Sequence, residues 1–274
     1  MFEALLHWLP MLGTLLGAGA LGGLLAGLFG VGGGIVIVPV LDAALSLAGV
    51  SPDASLHVAV ATSMATIIPT SISSSRSHAQ RGSVDPDIVR RWSVPIVAGA
   101  LAGALAASRV DARVLAAVFG CVAAAVALKM VLPLDHLVLR RTIPGGPAGA
   151  AIPAAIGAVA AMMGIGGGVL SVPTMTLCGE PMHKAVGTGA QLGFWISVPA
   201  TVGYLLAPAP DAASLPLTIG YVSLLGFAVI APVSWVIAPL GARLAHALDR
   251  RRLSAAFGVF LLIVAARMLY RALA

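Results

Sequence analysis

The sequence predicts an all-α polytopic membrane protein built from two inverted-topology repeats. Each repeat has about five helical segments, one of them broken by glycine. Three observations predict this. The 274 residues are 59% hydrophobic and only 9% charged, with mean hydropathy +1.02, whereas soluble domains carry about a quarter charged residues. Apolar stretches recur along the whole chain, and a helix of about 20 such residues crosses about 30 Å of hydrocarbon. They lack the polar/apolar alternation of a barrel wall. Finally, the chain repeats itself.

The repeat is legible at three places. Residues 29–39 align without gaps with 163–173, pairing Gly30 with Gly164, then three glycine pairs, Val38 with Val172 and Pro39 with Pro173. HVAVAT from His57 matches HKAVGT from His183. Residues 103–130 match 241–268 at twelve of 28 positions, among them Asp111/Asp249, Arg113/Arg251, Phe119/Phe257 and Met130/Met268. The expected division is 1–138 for the first repeat, 139–148 for a connecting loop around the PGGP turn at Gly145 and Gly146, and 149–274 for the second.

In the first half, the run over 9–29 follows MFEALLHWLP, which lacks a basic n-region, so it is read as a retained helix rather than a signal peptide. The next run, 35–49, follows Gly32, Gly33 and Gly34. The third, 56–75, begins at the HVAVAT motif and is expected to leave through TSISSSRSHAQRGS, a polar, basic stretch read as a solvated loop. The runs 92–108 and 113–132 follow, the last started by Asp111, an acid suited to the positive end of a helix dipole. In the second half the runs are 147–163, 169–179, 184–206, 216–239 and 253–271, the last preceded by Asp249. Trp8 and Trp92 suit interface anchors; Trp195 and Trp235 are expected to pack inside or line a cavity. His57 and His183 are expected to cap the starts of equivalent helices.

Five segments per half would turn the second half upside down, and the cations test this. With the loop after the third segment placed inside, twelve Lys and Arg fall on the same side: Arg76, Arg81, Arg90, Arg91, Lys129, Arg140, Arg141, Lys184, Arg243 and Arg250 to Arg252. Only Arg109, Arg113, Arg267 and Arg271 fall outside. The equivalent loop near Asp211 holds neither Lys nor Arg. This bias predicts an inverted repeat with the N-terminus outside a bacterial-type plasma (inner) membrane. The sequence pI near 10.2 therefore reports orientation rather than a nucleic-acid partner.

Each glycine in a helix interior costs about 1 kcal/mol relative to alanine, so Gly32–Gly34 and Gly166–Gly168 predict helix breaks. Broken backbone at membrane depth is tolerated only when buried in protein or lining a cavity. Bare N–H groups at a helix start converge on an anion, helped by the helix dipole. Two such nests from inverted halves would meet near the midplane, as in many secondary transporters. The alternative is that the glycines serve only close helix crossing.

The GxGGGxxxxP pattern in both halves, the AVAT and AVGT segments, and PLGARLAHALDRRRLSAAFGVFLLIVAARML resemble the TauE/SafE family of sulfite exporter-like permeases. The resemblance covers nearly the whole chain. It implies secondary transport of sulfite or an organosulfonate, generally outward. The substrate would bind between the two GxGGG segments and cross by alternating access.

Among polar residues, Thr62, Ser63, Thr188 and Gln191 are candidates to complete a cage around the oxyanion. The competing reading is bonding to their own helix or a neighbour. Asp42, Arg76 and His78 are coupling candidates: Asp42 as a proton carrier, or else as a hydrogen-bonded structural group, and Arg76 and His78 as an electrostatic mouth. No metal ligand set or cofactor motif is read; Cys121 and Cys178 form no paired motif. The competing functions are an anion channel and a membrane-embedded enzyme. The second lacks HExxH, GxSxG or a paired Cys/His pattern, and the absence of a nucleotide motif argues against ATP drive.

Overall fold

A computed structural model describes residues 2–131, 146–212, 215, 217–245 and 250–273. Arg140, Arg141, Gly145 and Asp249, used above for charge and repeat arguments, lie outside the described residues. So do the side chains of Trp8, Asp211, Arg250 to Arg252 and Phe257.

Ten α-helices follow one another among the described residues: α1 (Phe2–Phe29), α2 (Gly34–Leu47), α3 (Pro52–Ala79), α4 (Pro86–Ala107), α5 (Ala112–Val131), α6 (Gly146–Met163), α7 (Gly168–Leu177), α8 (Met182–Leu206), α9 (Leu224–Leu244) and α10 (Arg250–Leu273). A small hairpin, β1 (Thr218–Ile219) paired antiparallel with β2 (Val222–Ser223), precedes α9. The chain is thus an all-α polytopic membrane protein, and five of its described helices are long and apolar enough to cross a bilayer.

Local chemistry sets the boundaries. Ser51 caps α3 by accepting the Ala54 amide, with Pro52 at the first helical position. Asp85 caps α4 by accepting from Asp87 and Ile88, and Ser223 caps α9 through Gly226. Such caps satisfy amides that have no partner inside the helix. At Gly32 and Gly33 the backbone is left-handed, φ 78° and 80°, a conformation L side chains avoid, and α2 starts there. At 1.5 Å per residue, α2 and α7 are only about 21 and 15 Å long, too short to span a bilayer. They are broken half-length helices.

Two expectations need correction. The ninth segment begins as a helix at Leu224, not near 216, because Gly220 takes a positive φ and closes the hairpin. The stretch from Thr70 to Ala79 is not a solvated loop. It continues α3, with Ser71, Ser73, Ser74 and His78 buried. Its polar atoms are used across helices: Ser73 donates to the Trp235 carbonyl at 2.8 Å, and Ser74 to the Ala26 carbonyl at 3.3 Å.

The packing scheme pairs α1 with α9 and α4 with α6, α3 with α9 and α8 with α4, α2 with α3 and α7 with α8. It also pairs α3 with α8 and α5 with α10. Exchanging the first five helices for the last five maps this set onto itself. Close approach relies on glycine at both outer crossings. Side chains at Gly23 and Gly27 of α1 would run into α9 backbone, and side chains at Gly99 and Gly103 of α4 into α6 backbone. Removing Cβ lets helices touch through backbone, the usual device where lipid gives no hydrophobic drive. Helix α3 runs through the centre and is mostly buried, whereas only about a third of α5 and of α9 is buried. Large apolar side chains such as Leu21, Val94, Leu128, Val236 and Ile263 face outward, as suits a lipid surround.

Candidate functional site

The two glycine clusters cross in direct contact. A Cβ built on Gly32 would stand 2.9 Å from Gly166 Cα, one on Gly34 would overlap the Gly164 carbonyl oxygen, and one on Gly168 would overlap the Gly30 carbonyl oxygen. The pairs 30–168, 32–166 and 34–164 define an antiparallel register centred on the equivalent residues Gly32 and Gly166, and exchanging the two repeats maps it onto itself. Backbone fills the point of closest approach and leaves no room there for a ligand between the two segments, where the sequence reading expected it.

What the crossing leaves over is donor capacity. Helices α2 and α7 both begin there, and their first N–H groups have no intrahelical acceptor. Among the described residues, the amides of Gly32 to Ile35 and of Gly166 to Leu170 donate to no protein acceptor, and all but Leu170 belong to buried residues. Buried backbone donors are nearly always paired with protein, water or ligand. The positive ends of two short helices add to the attraction for an anion.

The hydroxyls around this crossing divide into used and unused. Thr62 Oγ1 accepts the Ser223 amide at 2.9 Å, and Thr188 Oγ1 accepts the Asp85 amide at 2.9 Å. Equivalent threonines thus hold the start of α9 and the start of α4. Ser63 gives its hydrogen to the Gly164 carbonyl at 2.7 Å, tying α3 to the second glycine segment, and Thr66 bonds the Ser63 carbonyl of its own helix. By contrast, Ser71, Ser171 and Thr201 have buried oxygens with no hydrogen-bond partner. The sequence reading passed over all three. Ser71 was lost in the apparent loop, and Ser171 stands where the first repeat has Ile37.

These helix starts, short broken helices and a doubled glycine crossing coincide with the comparisons to known proteins. The profile of the sulfite exporter TauE/SafE family matches residues 15–268. The chain belongs to the TauE/SafE family. It is 31% identical over 252 residues to a Haemophilus influenzae protein named "Probable membrane transporter protein", covering 91% of this chain and 95% of the relative. It is also 25% identical over 271 residues to the Bacillus subtilis "Probable membrane transporter protein YunE", covering 92% and 95%. No solved structure matches the chain. This TauE/SafE protein is a multi-pass membrane transporter, not an enzyme.

The remaining predicted residues lie away from the crossing. Gln191 is half-buried on α8 and two positions, about 200° of helix, from Gly193, so it lies on the face away from the glycine contact. Asp42 is buried and forms an ion pair with Arg271 near the end of α10. Ser55 donates to Asp42 Oδ1 at 2.9 Å and also meets the Arg271 guanidinium. The equivalent place in the other half uses Lys129, whose Nζ donates to the Pro173 carbonyl at 3.1 Å and meets Thr176 Oγ1 at 3.2 Å. Arg271 is one of four exceptions to the charge bias, which was the available signal for its partner. Arg76 is exposed at the end of α3, while His78 is buried with Nε2 donating to the Gly27 carbonyl at 3.0 Å. His57 is buried too, its Nε2 3.1 Å from the Ala107 carbonyl and its ring stacked on Tyr221, whereas His183 is exposed. The tryptophans reverse the expectation. Trp92 is buried at 1%, while Trp195 and Trp235 stand 38% and 36% exposed. The apolar α4 face around Trp92 turns inward, and the wide indole fills space there.

Proposed function

We propose that this protein exports a small oxyanion, sulfite or an organosulfonate, by alternating access across a bacterial-type plasma membrane, with its N-terminus outside. The observation that carries the reading is the set of buried, unpartnered amides where the two broken helices begin. An oxyanion offers several acceptor oxygens and accepts no proton from an amide, so it matches such a donor set without further chemistry. Gly32 to Gly34 and Gly166 to Gly168 form the two sides of the crossing beside which the anion would bind, with Thr62 and Thr188 fixing the helix starts that frame it and Ser63 bracing the crossing. Gln191 serves the approach on the other face of α8. Inversion of the two halves, which the cation bias supports, would let one end open as the other closes.

The interior-negative potential drives a monoanion outward by about 2.3 kcal/mol per charge per 100 mV. Asp42 would be the group through which a pH gradient acts, and it would have to leave Arg271 to do so, while Arg76 would attract the anion by its fixed charge.

The test is anion flux in proteoliposomes loaded with sulfite, methanesulfonate or acetate, with and without an imposed potential or pH gradient. The expected result is faster efflux of sulfite and methanesulfonate than of acetate, increased by an interior-negative potential. No protein-dependent flux of either sulfur anion would overturn the reading. Conductance far above carrier turnover would replace the carrier with a channel.

A further inference from the structure

The two glycine clusters match in sequence but not in surroundings. Around the first, side chains fill the space. Ile67 Cγ2 stands 3.1 Å from where a Gly32 Cβ would be, Ile37 packs on Gly22, and a Cβ on Gly33 would overlap the Gly22 carbonyl oxygen. At the same offsets, the second half has Gly193 where the first has Ile67, and Ser171 where the first has Ile37. Both exchanges remove bulk or add a hydroxyl.

The vacated position is met by a polar group from the opposite half. The point where a Gly193 Cβ would stand is 2.7 Å from Ser71 Oγ and 3.6 Å from Gly167 N. Ser71 is 2% exposed and its oxygen has no partner. Ser171 begins the second turn of the ten-residue α7, and its buried oxygen is also without a partner. Ser197, which stands where Ser71 stands in the repeat, instead donates to the Phe194 carbonyl at 3.3 Å. An unpartnered hydroxyl in a low-dielectric interior costs about as much as a lost hydrogen bond.

We propose that the oxyanion site is single and asymmetric. It lies at the N-terminus of α7, where the amides of Gly167, Gly168 and Val169 and the Ser71 hydroxyl donate to one ligand, and the first glycine cluster is structural. The assignment rests on the reading that the protein carries an oxyanion. It also fixes a charge class. Among the described residues no lysine or arginine is buried, so the ligand meets neutral donors and roughly half a unit of helix-dipole charge. That offsets part of one negative charge and leaves a second wholly uncompensated in a dry site. The ligand is a monoanion bearing at least two acceptor oxygens, a sulfonate or hydrogensulfite rather than sulfate.

The experiment compares methanesulfonate and sulfate transport by the full chain in proteoliposomes, for wild type, Ser71→Ala, Ser71→Thr, Gly193→Ala and Ser197→Ala. Methanesulfonate-induced thermal stabilisation in detergent is measured alongside, and it reports binding without turnover. The expected result is that Ser71→Ala raises the KM for methanesulfonate about tenfold, the effect of losing one hydrogen bond to a charged group, and removes most of the stabilisation. Ser71→Thr, which keeps the hydroxyl, recovers a large part of both. Gly193→Ala loses at least as much, Ser197→Ala stays within twofold, and sulfate neither competes nor stabilises. Equal effects of Ser71→Ala and Ser197→Ala, or wild-type KM in Ser71→Ala, would overturn the asymmetric site while leaving oxyanion transport standing. Absence of flux for every sulfur anion in the wild type would remove the underlying reading and this site with it.

Discussion

The joint at Thr62 and the joint at Thr188 are the same contact made twice, each accepting a helix-start amide at 2.9 Å. The ties at the far ends of the two broken helices are different contacts made at equivalent places. Helix α2 is held through the buried Asp42–Arg271 ion pair and Ser55, and α7 through Lys129 on a carbonyl and a threonine hydroxyl. The glycine clusters follow the second pattern, with isoleucines about the first and hydroxyls about the second. A backbone-level joint has to be kept for the two halves to fit together. Side chains beside it are free to diverge, and the proposed single site and the two unlike ends both lie where they have.

The largest expected effect breaks this comparison at the clusters. Gly33→Ala puts a side chain on a left-handed backbone and into the Gly22 carbonyl. Strain of about 1–3 kcal/mol from the dihedral alone, with overlap added, should leave little folded protein by size-exclusion chromatography in detergent. Next come the end ties. Arg271→Met strands Asp42 in the interior, and losing one partner of a buried pair costs about 3–5 kcal/mol. The expected outcome is a large fall in the thermal midpoint, partly reversed by adding Asp42→Asn. Lys129→Met should cost less, about 1–2 kcal/mol, for the loss of its hydrogen bonds to the Pro173 carbonyl and the Thr176 hydroxyl. If the two single variants lose equal stability, the ends do not differ as described. Smallest are the joints. Thr62→Val and Thr188→Val should each cost about 1 kcal/mol and should match each other. A clear inequality between them would break the claimed equivalence.

Much of the fold was legible because a bilayer punishes exceptions. Nine of the ten helices lie close to the apolar runs read from the sequence, since broken backbone cannot face lipid. The tenth was started too early because TIGYVS is apolar enough to extend the run, and only the positive φ of Gly220 reveals a hairpin. The serines after Thr70 looked like an exit into water by composition. They are buried because neighbouring helices offer carbonyls at Ala26 and Trp235, a fact that depends on packing. In the candidate site, the glycines announced themselves by doubling. Ser71 did not, because its meaning depends on Gly193 being bare on another helix. Asp42 was conspicuous, but its partner is 229 positions away and no local pattern links them.

In the proposed asymmetric site the first glycine cluster holds the fold and the second holds the ligand. Gly167→Ala tests it most directly. Gly167 has φ −56°, and an added methyl would lie 3.0 Å from Gly193 N, a tight contact that neighbours relieve by a small shift. Sulfite efflux and the thermal midpoint are measured on the same preparation. The expected result is a midpoint within a few degrees of wild type and efflux lowered about tenfold. Wild-type efflux from a folded Gly167→Ala protein would contradict it.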